Sequence, residues 1–162
     1  MITAWEYLRR CRKNLTRRQE MQEAIDHLRS KAYPGAMRIK HVMVQETVPE
    51  DKTGRILSDV ETKLWEYQHE LALIRRQRVQ AQYWIDQIKS PLFRQLLEQY
   101  YLTPVEVTEE IGGRKMTRLA PQDLSMVAST LGRSHIWAKK NHYVAVEAFA
   151  VVSGLPLDSD ED

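Results

Sequence analysis

The chain has a single cysteine, Cys11, so no intrachain disulfide can form. That usage fits a reducing compartment. No stretch approaches the roughly 18 apolar residues of a membrane span. The start, Met-Ile-Thr-Ala-Trp-Glu-Tyr, lacks the charged segment and apolar run of a signal peptide. A cytoplasmic protein without a membrane partner is expected. Catalytic signatures are missing too: there is no Gly-rich phosphate loop, no His-Glu-x-x-His, no cysteine cluster and no nucleophile elbow. His135 and His142 lie on one helical segment, but no cysteine or carboxylate joins them at ligand spacing. The expectation is therefore no enzyme, no cofactor, no metal and no small-molecule substrate.

A strong net charge is also lacking, at +2 over 162 residues. Its distribution says more. Asp158 to Asp162 hold four acids, and 153–162 reads as a disordered acidic tail. The rest of the chain carries about +6. Between Arg114 and Tyr143 the basic residues are Arg114, Lys115, Arg118, Arg133, Lys139 and Lys140, and Asp123 is the only acid. A local excess of this kind is the electrostatic footprint of phosphate contact.

What is abundant is helical periodicity. Leu57, Val60, Leu64, Tyr67, Leu71, Ile74, Arg78, Ala81, Ile85 and Ile88 alternate in steps of three and four, with Arg78 the one break. A heptad sustained this long predicts a coiled coil, ended by Ser90-Pro91. An earlier segment carries Trp5, Leu8, Cys11, Leu15, Met21, Ile25 and Leu28, interrupted by Arg18 and Gln22. Tyr33-Pro34-Gly35 stops it. A flexible linker over 34–55 follows, with a short alternating run at Arg38–Val44. The fold class expected is mainly α: residues 1–89 form a long antiparallel helical hairpin, and 90–152 a second unit. A parallel dimer with the long helix as zipper is the alternative. Fold-back places Arg9, Arg10, Arg12, Lys13, Arg17 and Arg18 near Arg75, Arg76, Arg78 and Lys89, at the end that meets the second unit.

In the second unit, Ser90 and Pro91 suit the start of a helix reaching Leu102. Two strand-like runs around Gly112-Gly113 predict a β-hairpin over 105–119, acidic on its first strand and basic on its second. It serves either as a wing on DNA or as a brace for the core. Pro121 to Phe149 then has helix-turn-helix spacing. Leu124, Val127, Ala128 and Leu131 form an apolar stripe, with Ala128 small where helices approach closely. Gly132 sits where a left-handed residue is wanted, and Ser134 can cap the next helix. Ala138, Ala145, Val146 and Phe149 point to a core; His135, Lys139, Lys140 and Tyr143 share another face.

The layout resembles the sigma-factor-like transcriptional regulators of phages of Gram-positive bacteria, of the RinA and ArpU type. The residues that carry the resemblance are Tyr7-Leu-Arg-Arg10, the long heptad helix, the break at Ile88-Lys-Ser-Pro-Leu92, and Leu131-Gly-x-Ser134. The chain departs from that pattern in the long Thr103–Ala120 segment, in Arg133 after the turn glycine, and in His135-Ile136-Trp137 opening the second helix. The resemblance implies a sequence-specific double-stranded DNA-binding activator of late phage genes, working at the nucleoid of a bacterial host. It raises host RNA polymerase as a partner, a contact that the departures leave open, while the zipper alternative for the long helix would make a homodimer. It places Ser134, His135, Lys139, Lys140 and Tyr143 in the groove and Arg133 and Arg114 on phosphates. Two other readings stay open: a DNA-packaging adaptor like a phage small terminase subunit, and a coiled-coil interaction module without DNA binding.

Overall fold

Thr3 and Glu6 start the first helix reciprocally. The Glu6 N–H donates to Thr3 Oγ1 (3.1 Å) and the Thr3 N–H to the Glu6 carboxylate (2.9 Å), a capping box. The computed structural model describes residues 1–32 and 50–158. Their order is α1 (Ala4–Ala32), α2 (Glu50–Asp86), α3 (Pro91–Leu97), a π-helical turn (Glu98–Leu102), β1 (Pro104–Ile111), β2 (Arg114–Pro121), α4 (Leu124–Thr130) and α5 (His135–Ser153). The fold is mainly helical with one two-stranded antiparallel sheet. Among the described residues no helix is long and apolar enough to cross a membrane.

The chain divides into two compact units, 18–73 and the combination of 1–17 with 74–162. The sequence placed a boundary near residue 89; the compact units instead divide within both long helices. In the unit 18–73, Met21, Ile25, Val60 and Leu71 are buried. In the other unit, the start of α1 and the end of α2 run in opposite directions. Tyr7 packs edge-on against Trp84 at 5.2 Å, and Asn14 donates from Nδ2 to Gln77 Oε1 at 2.9 Å. As the residue number rises along α1, its partner's number falls along α2.

Three local expectations need correction. Arg78 is exposed, and its neighbour Gln77 is the half-buried polar residue, held by Asn14 and by the Tyr7 hydroxyl on its carbonyl (3.0 Å). Step counting cannot separate adjacent positions where a helix drifts from its heptad. Residues 50–55, assigned to the linker, are the first turn and a half of α2. The rest of that linker, with the stop at Tyr33-Pro34-Gly35 and the run Arg38–Val44, lies outside the described residues. Finally, α2 ends at Asp86, ahead of Ser90-Pro91. Tight bonds from Gln87 to Trp84 and from Ile88 to Ile85 close it, and Arg94 Nη1 donates to the Ile88 carbonyl (2.8 Å).

The core of the larger unit gathers every element except the sheet. Leu8 and Cys11 of α1, Ala81 and Ile85 of α2, Leu96 and Leu97 of α3, and Tyr101 and Leu102 of the π turn join Val127 and Ala128 of α4 and Ala145, Val146 and Phe149 of α5. Burying each Leu, Ile, Val or Phe side chain among these contributes about 1.5–3 kcal/mol. Burial also pushes the Cys11 thiol up to about 12. Leu155 and Leu157 pack on this core, and the Ala4 N–H donates to the Pro156 carbonyl at 2.8 Å. The stretch 153–157, expected as the start of a disordered tail, is thus part of the packed body, because its leucines have apolar surface to cover. Asp158 is exposed, and 159–162 lie outside the described residues.

Candidate nucleic-acid interface

The pair α4–α5 is built by local chemistry. Asp123 Oδ1 accepts from the Met126 N–H (2.8 Å) and caps α4. At the other end Gly132 takes φ 68°, where a Cβ is disfavoured. The Gly132 N–H then bonds the Ser129 carbonyl and the Arg133 N–H the Ala128 carbonyl, the two bonds of a Schellman ending. Ser134 Oγ accepts from the Trp137 N–H (3.1 Å) and starts α5. Val127, Ala128, Ala138, Ala145, Val146 and Phe149 are buried, so α5 presents a fully apolar side to the body.

The opposite side of α5 is exposed. It carries His135, Ile136, Lys139, Lys140 and Tyr143, and Glu147 limits the positive stretch toward the C-terminus. Ile136 is 68% exposed. It was not among the expected site residues, although an apolar residue between His135 and Lys139 on a solvent face is a readable signal for contact with a thymine methyl. Arg133 is exposed, with its guanidinium 5.6 Å from the Trp137 ring. Trp137 is half-buried and packs on the core. The Ser134 oxygen is engaged in the cap, which leaves its O–H to donate.

The hairpin pairs Pro104–Ile111 with Arg114–Pro121, two residues longer at its base and one at its start than the expected 105–119, and turns on Gly112-Gly113, both at positive φ. Its second strand is largely exposed and bears Arg114, Lys115 and Arg118. Arg118 Nη2 is 2.6 Å from Glu109 on the facing strand. Its charge is therefore directed along the hairpin, whereas Arg114 and Lys115 stand at the tip opposite Ile111 and Glu110.

The start of α1 docks beside α5. Arg12 Nη2 donates to the Gln122 carbonyl (2.7 Å), and buried Gln122 donates to Gln99 Oε1 (3.0 Å) and the Thr103 carbonyl (3.1 Å). The π turn sets Tyr100 and Tyr101 edge to face at 4.8 Å. Tyr101 Oη lies 2.7 Å from His142 Nε2. Burial, with the charges of Arg12 and Arg9, lowers the His142 pKa to about 4, and burial raises that of the Tyr101 phenol. The pair is thus a neutral imidazole joined to a protonated phenol by one short hydrogen bond. His142 turns to the core side while His135 stays exposed, so the two histidines do not converge. Among the described residues no group of three or more His, Cys, Asp or Glu is placed to hold a metal ion.

The start of α1 was expected to be basic and to adjoin this unit. Its partners Tyr100, Gln122 and His142 lie far along the chain, and no local spacing links residues so distant in sequence. No family model, no curated protein and no solved structure matches the chain.

Proposed function

We propose that this protein is a sequence-specific double-stranded DNA-binding transcription regulator in which α4 and α5 act as a helix-turn-helix and α5 enters the major groove. One observation carries the reading. A helix with a capped, solvent-facing start has one side sealed in the core, and the other side bears His135, Ile136, Lys139, Lys140 and Tyr143. Such a helix is held by its scaffold with its N-terminal residues free to meet base edges. Arg133 and Arg114 reach flanking phosphates, and the hairpin tip with Lys115 acts as a wing. The start of α1 and the end of α2, antiparallel within the larger unit, position this module. By its likeness in layout to RinA and ArpU type regulators, the target is a late phage promoter, the effect is activation, and host RNA polymerase is the partner.

Selection of bound sequences from random duplex DNA tests this. A defined motif is expected, and a palindromic one would report dimeric binding. Recovery of no enriched sequence, with no salt-sensitive affinity for duplex, would leave an interaction module instead. A packaging adaptor is the second reading, favoured by Val79 and Tyr83 of α2, which are 69% and 62% exposed and could pair subunits. Mass in solution separates the two: a monomer or dimer fits a regulator, and a ring of many subunits fits packaging.

A further inference from the structure

A cleft of about 410 Å³ opens between the start of α1, the π turn and α5. Its size falls within the roughly 300–1,000 Å³ usual for small-ligand sites. Arg9, Arg12 and Lys13 line it from successive turns of α1, and no Asp or Glu lines it among the described residues. Nor does any carboxylate pair with these three cations there. Arg12 is fixed: its guanidinium lies 4.3 Å from the Tyr100 ring centroid, and its Nε–H is buried without an acceptor. Three cations on one wall with no acid beside them give the cleft a positive field that attracts an anion. The remaining walls are Thr16, Pro121 and a set of aromatic rings. Trp5 stands edge-on to His142 at 5.3 Å, Tyr100 is 5.0 Å from the same ring, and Arg9 lies 5.7 Å from Trp5. His142 is held neutral, so this wall is a planar face rather than a further cation.

Clustered cations beside half-buried aromatic rings suit one ligand chemistry, a phosphate attached to a planar base. The geometry points to a nucleotide-binding cleft, with the phosphate on Arg9, Arg12 and Lys13 and the base against Trp5, Tyr100 and His142. The nucleotide comes either free, as an effector, or as one unit of a nucleic-acid strand. This inference stands apart from the duplex reading by α5, since none of Lys139, Lys140 and Arg133 lines the cleft.

The experiment uses the full chain, titrated separately with adenosine 5′-monophosphate, inorganic phosphate and a short single-stranded oligonucleotide. Calorimetry gives affinity, and the indole signal of Trp5 in NMR gives location. Arg9→Gln with Lys13→Gln tests the anion half; both residues are exposed on the helix and their replacement preserves the core. Tyr100→Leu tests the base half. Saturable nucleotide binding that shifts Trp5 is expected, weakened at least about tenfold by the α1 pair and about tenfold by Tyr100→Leu. It should be untouched by Lys139→Ala with Lys140→Ala. Saturation by the oligonucleotide alone, with the same dependence, assigns the nucleotide to a strand and also supports the cleft. No saturation by either ligand up to about 10 mM overturns it. So does inorganic phosphate binding as tightly as both, or a nucleotide affinity that the α1 pair leaves unchanged. Duplex affinity measured on the same variants keeps this outcome separate from that of the α5 reading.

Discussion

Two basic surfaces flank α5, and they are built on opposite plans. The outer face carries Lys139 and Lys140 in open solvent, on a helix whose rigidity comes entirely from the side turned away. The α1 face carries Arg9 and Arg12 against aromatic rings, tied to the α4 start through Gln122 and bordered by Trp5, which touches both His142 and Tyr143. Charge alone does not separate them. Concavity and ring faces do: a convex positive helix fits a groove, and a concave aromatic one fits a single planar group.

The sharpest way to break the comparison is Lys139→Ala with Lys140→Ala. Duplex affinity should fall about a hundredfold at moderate salt and the salt slope by about two, with helicity unchanged. Full affinity and specificity in that variant would mean α5 is misassigned. Next is Tyr101→Phe, which removes the hydroxyl from His142 Nε2 at the seam between the two surfaces. A loss of about 1–2 kcal/mol in chemical denaturation is expected, because the hydrogen bond of a fully buried phenol is removed. Gly132→Ala forces a side chain to φ 68° and should cost about 1–2 kcal/mol, lowering the melting temperature and duplex affinity but not the shape of the α1 face. The effect of pH has a definite sign. His142 titrates near 4 in the folded chain and near 6.5 when unfolded, so the unfolded chain takes up more protons between those values. Stability should therefore fall as pH drops through that window, with about one proton per molecule taken up on unfolding. His142→Gln should remove that component, and identical pH curves for the two proteins would count against a neutral buried ring. Smallest is Arg118→Ala: its ion pair with Glu109 is exposed, and stability should change within about 0.5 kcal/mol, with a similarly slight effect on duplex affinity.

Much of the α4–α5 surface was legible in the sequence because its determinants are local. Ser134, Gly132 and the buried stripe through Val127, Ala128, Ala138, Val146 and Phe149 each follow from spacing within a few residues. The Gly-Gly hairpin and the Ser90-Pro91 helix start are local in the same sense. The capping box at Thr3 and Glu6 is local in the same sense, a Thr-x-x-Glu spacing ahead of an apolar stripe. The α1 surface was not legible. Tyr101 and His142, or Arg12 and Gln122, meet through tertiary packing, and nothing in either neighbourhood encodes the other. The seam between the long helices lies in between: its period is local, but whether Gln77 or Arg78 turns inward depends on the partner at Asn14.

Cys11 has a use that follows from where it sits. It is 4% exposed, between the seam of α2 and the core of α5, and its thiol is pushed up to about 12. Alkylating reagents consume thiolate, so the closed molecule should be nearly inert to them. Any labelling at neutral pH then counts excursions in which the first turns of α1 lift away. The chain thus carries its own clock for the opening of that end, and a ligand held by Arg9 and Arg12 would slow it.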